Sequence, residues 1–301
     1  AREEVRIDTP TRRFYKPISV EQATQFRRDN PACSVIAGAT DLGVVYNKKL
    51  REINVALSLG GIASLGQVRI EPGAMHLGAG VTLATLELLA RKHLPELARF
   101  MQWFGSPLIR NAGTIGGNLV TGSPIGDTIP ALIVLGAEIE IAGVSGTRRV
   151  PIGEFYIGYR KTVLAADELV SAIRIPLLNE TQMLKLYKIS RRKDLDISSF
   201  GAAIWMQRSN GVVDDIRLAF GGVGPMVMRL PKAEAILRGQ APTLERFEQA
   251  GEIAREEVTP ISDVRGSAEY RRTLAGNILA KFWHEVIDDA MVPSPGLPEE
   301  S

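Results

Sequence analysis

The chain has 301 residues, a formal charge of +2 at pH 7 and 45% hydrophobic content. That length can fill two packed domains, the balanced charge leaves no electrostatic footprint for nucleic acid, and no apolar run approaches the roughly 18–20 residues of a membrane span. Cys33 is the only cysteine, and His76, His93 and His284 are scattered, which excludes an internal disulfide or a thiolate cluster and leaves no expectation of a metal site built by this chain alone.

The start, "AREEVRIDTP", has neither an initiator Met nor a charged-then-apolar signal pattern, so it reads as a processed chain or a piece of a longer one. "TRRFYKPIS" predicts a short strand ended by Pro17. Ser19 with Gln22 makes a capping box that opens a helix through about Arg28. "CSVIAGATDLG" is an apolar strand running into a Gly-rich turn, and "INVALSL" is a further strand. "QVRIEPGAMHLGAGV" alternates on both sides of "EPGA", a hairpin signal. "TLATLELLARKH" and "PELARFMQWFG" predict helices, the second with Pro95 in its first turn. "RNAGTIGGNLVTGSPIGD", Arg110 to Asp127, reads as a long Gly-rich loop. Then come "GAEIEIAGV", "TRRVPI" and "DELVSAIRIP" as strands, the last closed by Pro176.

A second region follows, with strands "MLKLYKIS", "SSFGAAIWMQR" and "VVDDIRLAFGG". The Asn-Gly pair in "RSNGVV" marks a tight hairpin between the last two. "PKAEAILRG", "LERFEQAGEIAREEV" and "SAEYRRTLAGNILAKFWHEVI" predict helices, and the proline-rich tail from 291 to 301 reads as flexible. The fold class is α+β, with a first domain over 1–176 and a second, three-stranded antiparallel sheet with helices, over 177–290.

Two segments carry chemistry. "VIAGATDLG" places Ala37, Gly38, Ala39 and Thr40 directly after a strand, where small residues let a ligand approach and successive amides can form an anion-binding concavity. Asp41 cannot face a phosphate unless it points away. The stretch from Arg110 to Asp127 holds five glycines, no Lys, and neutral donors at Thr114, Asn118, Thr121 and Ser123. Each segment alone is also compatible with a plain turn. Together they suggest a ligand with two linked phosphates. There is no P-loop, no G-x-G-x-x-G unit, no nucleophile grouping and no pair of carboxylates to single out. A chain that grips a diphosphate without its own catalytic acid or base points to a ligand that does the chemistry, as flavin does.

"VIAGATDLG", "WFGSPLIRNAGTIGGNLVTGSPIGDTIPAL", "DELVSAIRIP" and "LYKISRRKDLD" stand in the order and spacing of the FAD domain of the xanthine dehydrogenase family, bacterial type, and the C-terminal half down to "FWHEV" resembles that family's flavoprotein C-terminal domain. The resemblance covers nearly the whole chain. It implies a two-part FAD-binding domain of the xanthine dehydrogenase/vanillyl-alcohol-oxidase type. It also implies that Val35, Ile36, Ala37, Gly38, Ala39, Thr40, Asp41 and Leu42 wrap the FAD pyrophosphate and ribityl chain. Gly113, Thr114, Gly117, Asn118, Val120, Thr121 and Ser123 would form the opposing loop. Asp127 would bond the adenosine ribose or the loop itself, and Phe104 would stack on adenine. Leu169 and Val170 would touch the flavin or adenine edge, and Lys188 would lie near the polar edge of the flavin. Without the resemblance, Phe104 reads as a helix-end core aromatic, Leu169 and Val170 as strand core, and Lys188 as a solvated side chain.

"SRRKDLD" beside Lys188 resembles a loop near the flavin that governs access of NAD. It departs from the animal enzymes in length and in the order of its acids, so no NAD-contacting residue is assigned. By resemblance the chain is the FAD-carrying electron-transfer module of a cytoplasmic hetero-oligomer in purine catabolism. Its partners would be an iron–sulfur domain with [2Fe-2S] clusters and a molybdopterin-binding subunit, with NAD as electron acceptor. The alternatives are a flavoprotein subunit of a carbon monoxide dehydrogenase-like enzyme, a stand-alone flavin oxidoreductase, and a non-catalytic nucleotide-binding module.

Overall fold

The computed structural model describes residues 3–192 and 195–288; the tail expected at 291–301 lies outside the described residues, as do Lys193 and Asp194 of the charged loop. Strands β1 (Val5–Asp8) and β2 (Arg13–Lys16) pair antiparallel. Helix α1 (Val20–Asp29) begins at the expected Ser19 cap: the Ser19 side chain accepts from the Gln22 amide, while the Gln22 side chain accepts from the Ile18 N–H, one residue before the cap, at 3.0 Å. Strand β3 (Ser34–Ile36) leads through a turn into α2 (Leu42–Asn47), and β4 (Val55–Ser58) lies parallel to both β2 and β3, giving the order β1-β2-β4-β3. Helix α2 has no sequence signal, because Asp41 makes no cap bond through its side chain and none of the helix is buried.

The "EPGA" hairpin joins β5 (Val68–Glu71) to β6 (Ala74–Gly78), with Gly73 at φ 80° supplying the left-handed turn residue. Five helices follow: α3 (Leu83–His93), α4 (Pro95–Met101), α5 (Pro107–Ala112), α6 (Ile115–Thr121) and α7 (Thr128–Leu135). Next come β7 (Glu138–Gly143), β8 (Gly146–Pro151), the short α8 (Ile152–Phe155), β9 (Tyr156–Gly158), β10 (Lys161–Thr162) and β11 (Leu169–Pro176). Strands β5-β6-β11-β7-β8 form an antiparallel sheet in that order.

The stretch from Arg110 to Asp127, expected as a loop, is largely helical. Ser106 and Thr114 cap α5 and α6 through their hydroxyls, and Gly122 at φ 57° ends α6. Those caps outweigh the poor helix propensity of its glycines.

After Pro176 the chain enters another sheet: β12 (Gln182–Ile189), β13 (Phe200–Ser209), β14 (Val212–Gly221) and β15 (Met228–Arg229), antiparallel in that order. The three strands expected here are joined by a fourth, two-residue edge strand too short to carry a period. Asn210 and Gly211 both take positive φ, 49° and 77°, as a type I′ hairpin demands. Helices α9 (Pro231–Leu237), α10 (Leu244–Glu257) and α11 (Ala268–Trp283) cover one face, the last ending in a π turn over His284–Asp288.

Helix α7 joins the two halves. All eight of its residues are buried, the pattern of a helix enclosed on every side. It packs against β13 and β14 as well as α8 and β11, so Leu184, Leu186, Ala203 and Trp205 of the second sheet share a core with the first half, while its other face packs on α10 and α11. Each buried aliphatic of α7 contributes roughly 1.5–3 kcal/mol as an upper bound. This contact fixes the second sheet beside the end of the Gly-rich stretch. No helix among the described residues is long and apolar enough to cross a membrane.

Candidate functional site

A cleft of about 770 Å³ opens where the two halves meet, within the ~300–1,000 Å³ range of small-molecule sites. The β3–α2 turn, the α5–α6 junction, the start of α7 and strands β11 and β12 all line it. Of the residues singled out from sequence, Val35, Ala37 to Leu42, Phe104, Gly113, Thr114, Gly117, Asn118, Val120, Thr121, Ser123, Asp127, Leu169, Val170 and Lys188 line this one cleft. Ile36 does not; it is the last residue of β3 and stays in the strand.

The β3–α2 turn is built by close packing. A Cβ on Gly38 would lie 1.9 Å from the Ala112 carbonyl oxygen, so glycine here serves contact with α5 rather than ligand approach. Ala39 takes φ 58°, a left-handed conformation that costs a non-glycine residue roughly 1–2 kcal/mol. The result is a run of amides, Gly38 to Asp41, with no intramolecular acceptor among the described residues, before Gly43 N–H bonds Ala39 O at 2.7 Å. Successive amides around a left-handed residue form an anion-binding nest.

The second segment behaves differently. The amides of Ile115, Gly116 and Asn118 donate to the carbonyls of Val81, Ala79 and Thr114, each at 2.9 Å, and Gly117 N–H donates to the Thr114 hydroxyl at 3.0 Å. The Thr121 hydroxyl donates to Gly117 O at 2.9 Å, and Asn118 accepts from Thr128 at 2.5 Å. The expected opposing loop is therefore a capped helix whose first-turn donors are already used. Gly116 packs on Ala79, whose Cβ lies 2.6 Å from where a Gly116 Cβ would sit; a Cβ on Gly117 would meet only the Thr114 hydroxyl, at 2.9 Å. Gly117 is the bare backbone that faces the cleft.

At the other end, Lys188 Nζ bonds Asp127 Oδ2 at 2.7 Å, with side chains only 6% and 11% exposed, and the Ser198 hydroxyl donates to Asp127 Oδ1. Burial pushes the Asp127 carboxyl above its usual range, with Lys188 and Ser198 opposing. Lys188 is therefore not the solvated side chain its strand position suggests. Asp127 spends both oxygens on the second half of the chain, neither on its own loop. Arg27, Arg51, Arg160 and Arg265 also line the cleft. Arg51 donates to Ser34 Oγ at 2.7 Å and Arg27 to Ala166 O at 2.9 Å. Asp196, the acid of the charged loop in the lining, is paired with Arg192 at 3.3 Å. Asp127 and Asp196 are paired, as is Arg265 with Asp263 at 3.2 Å; Arg27, Arg51 and Arg160 against Asp41 leave the lining net positive toward an anion. These arginines lie far apart in the chain and in no motif, so sequence reasoning missed them.

Two family models match the chain: FAD binding domain in molybdopterin dehydrogenase over residues 8–178, and CO dehydrogenase flavoprotein C-terminal domain over residues 185–286. The chain is 27% identical to the xanthine dehydrogenase of Oryza sativa over 91% of its own length, but spans only 21% of that protein. It is 30% identical to the nicotine 6-hydroxylase medium subunit of Paenarthrobacter nicotinovorans, covering 90% of this chain and 96% of that one. Among solved structures, a chain of the carbon monoxide dehydrogenase of Hydrogenophaga pseudoflava superposes with a TM-score of 0.85 at 28% identity, covering 91% of this chain and 96% of that chain.

Proposed function

Because the chain belongs to the family of FAD-binding domains in molybdopterin dehydrogenases, we propose that it is the FAD-carrying electron-transfer module of a xanthine dehydrogenase. Electrons from a purine oxidised at a molybdenum centre on a partner would reach it through [2Fe-2S] clusters and leave to NAD, in the cytoplasm. The observation that carries the reading is the row of acceptor-free amides from Gly38 to Asp41 in a net-positive cleft that spans both halves of the chain.

The residues fit the group. Amides of Gly38 to Asp41 would hold the diphosphate, with Arg51 and Arg27 adding long-range attraction. Gly117 would let the ligand lie against α6. Phe104, half-buried at the cleft, would stack on adenine. Leu169 and Val170 would supply an apolar wall from β11. The Lys188–Asp127 pair would hold β12 against the start of α7. Bound there, FAD supplies one- and two-electron chemistry that no side chain of this protein can.

The residues leave the acceptor open at one place. Arg191 donates to Val264 O at 3.0 Å and Arg192 pairs with Asp196, so these described residues of the charged loop are tethered beside the cleft, where they could orient a dinucleotide. A second reading, a medium subunit serving a different substrate, is favoured by the 30% identity to the nicotine 6-hydroxylase medium subunit over nearly the whole of both chains. The visible spectrum of the purified chain and its bleaching by NADH test both. A flavin spectrum that NADH bleaches supports the proposal. Replacing Arg191, Arg192 and Lys193 by Ser should then slow NADH reduction while dithionite reduction is unchanged. A flavin that dithionite but not NADH reduces favours the second reading, and a colourless chain that FAD cannot reconstitute defeats both.

A further inference from the structure

Phe104 reaches the cleft on a turn between two helices. Helix α4 stops at Met101 and α5 starts at Pro107, and between them Gly105 takes φ 49°. Arg110 holds the turn from behind. Its Nη1 donates to the carbonyl oxygens of Phe104 and Gly105, both at 2.9 Å. Its Nε lies 2.9 Å from Glu87 Oε2 on α3, and both side chains are 12% exposed. A planar guanidinium can serve a carboxylate on one edge and two carbonyls on another, which an ammonium cannot. Arg110 itself does not line the cleft, whereas Phe104 and Gly105 do. Any influence it has on a ligand therefore passes through the turn.

We propose that Arg110, braced by Glu87, is the positioning residue that makes this cleft select a flavin dinucleotide over a flavin mononucleotide, by holding Phe104 where an adenine ring stacks. The proposal rests on the FAD reading and goes beyond it by assigning specificity to a buried ion pair outside the site. The turn is short: the Phe104 N–H donates to Met101 O at 3.1 Å and holds its start, and the two carbonyl contacts to Arg110 hold its end. Losing them lets Phe104 swing with Gly105, while the surfaces that would meet the flavin and its first phosphate, at the nest and β11, are untouched.

The test measures FAD and FMN affinity, by flavin fluorescence titration of the flavin-depleted full chain, for the wild type, Arg110→Gln, Phe104→Ala and the double variant. Phe104→Ala should weaken FAD about three- to tenfold, the loss of one aromatic stack, and FMN hardly at all. Arg110→Gln should weaken FAD by a similar factor and leave FMN within about twofold, and should add little in the Phe104→Ala background, since both act through one contact. Arg110→Lys should fail to restore selectivity. If Arg110→Gln does not fold, Glu87→Gln makes the same comparison with the guanidinium retained. Equal losses for FAD and FMN, or full additivity in the double variant, would overturn the role of Arg110. A wild type that binds neither flavin would instead overturn the FAD reading on which it stands.

Discussion

In the turn after β3, the amides of Gly38 to Asp41 have no acceptor among the described residues; at the start of α6, the amides from Ile115 to Asn118 all donate, to Val81, Ala79 and Thr114. Both segments line one cleft and both are rich in small residues. The difference lies in what the glycines do. Gly38 and Gly116 are packing residues pressed on Ala112 and Ala79, while Gly117 alone is bare toward the cleft. Small residues in a ligand site therefore divide into those that bring two backbones together and those that let a ligand in. One segment supplies donors; the other supplies a smooth surface.

Four substitutions separate these roles, here ranked by their expected effect on stability. Lys188→Met strands Asp127, which closes the second segment, as a buried carboxylate without its cation; breaking such a pair costs about 3–5 kcal/mol. Burial already raises the Asp127 carboxyl, and loss of Lys188 raises it further. An acid with a raised folded-state pKa gives its full contribution below its unfolded value and loses it as pH rises through the folded one. The variant's deficit should thus be small near about pH 4 and grow toward neutrality, as denaturant melts at several pH values would show; a deficit independent of pH would argue against an unpaired Asp127.

Gly38→Val forces the two segments apart, because a Cβ meets the Ala112 carbonyl oxygen. It should cost about 1–3 kcal/mol, as overpacking does, and also abolish flavin retention; a variant with normal melting and flavin content would show that the turn is not pressed on α5. Thr114→Ala removes the α6 cap and should cost about 1 kcal/mol, with Gly117 N–H freed for a ligand, so flavin content should fall little. Gly117→Val should cost no more than about 1 kcal/mol, because its Cβ crowds the Thr114 hydroxyl that caps α6, yet abolish flavin retention, since the rest of the side chain fills the cleft. If it keeps full flavin occupancy, the smooth-surface role assigned to the second segment is wrong.

Much of the fold was legible because its signals are local. The Ser19 cap, the "EPGA" and Asn210–Gly211 turns and the helices led by Pro95 and Pro231 each act within four or five residues. The stretch from Arg110 to Asp127 reads as a loop because its glycine content argues against helix more loudly than the hydroxyl caps at Ser106 and Thr114 argue for it, and the acceptors of the Ile115 and Gly116 amides lie on another segment, at Val81 and Ala79. Within the cleft lining, the small residues after β3 and around α6 stand out locally, Ile36 apart, whereas Phe104, Leu169, Val170 and Lys188 are placed there only by the family resemblance. The aim of each donor was not legible: whether the Thr114 hydroxyl meets a ligand or an amide is decided by backbone three residues on. The Asp127–Lys188 pair spans 61 residues, and Arg27, Arg51, Arg160 and Arg265 reach the cleft from α1 and three separate loops. Nothing in a linear pattern marks them.

Hydrogen exchange read by mass spectrometry tests the central claim most directly, on the flavin-depleted chain with and without FAD. The account predicts that amides of Gly38 to Asp41 exchange quickly in the free protein and become strongly protected by FAD, while those of Ile115 to Asn118 are slow in both. Equal protection gained in the two segments, or none in the first, would contradict it.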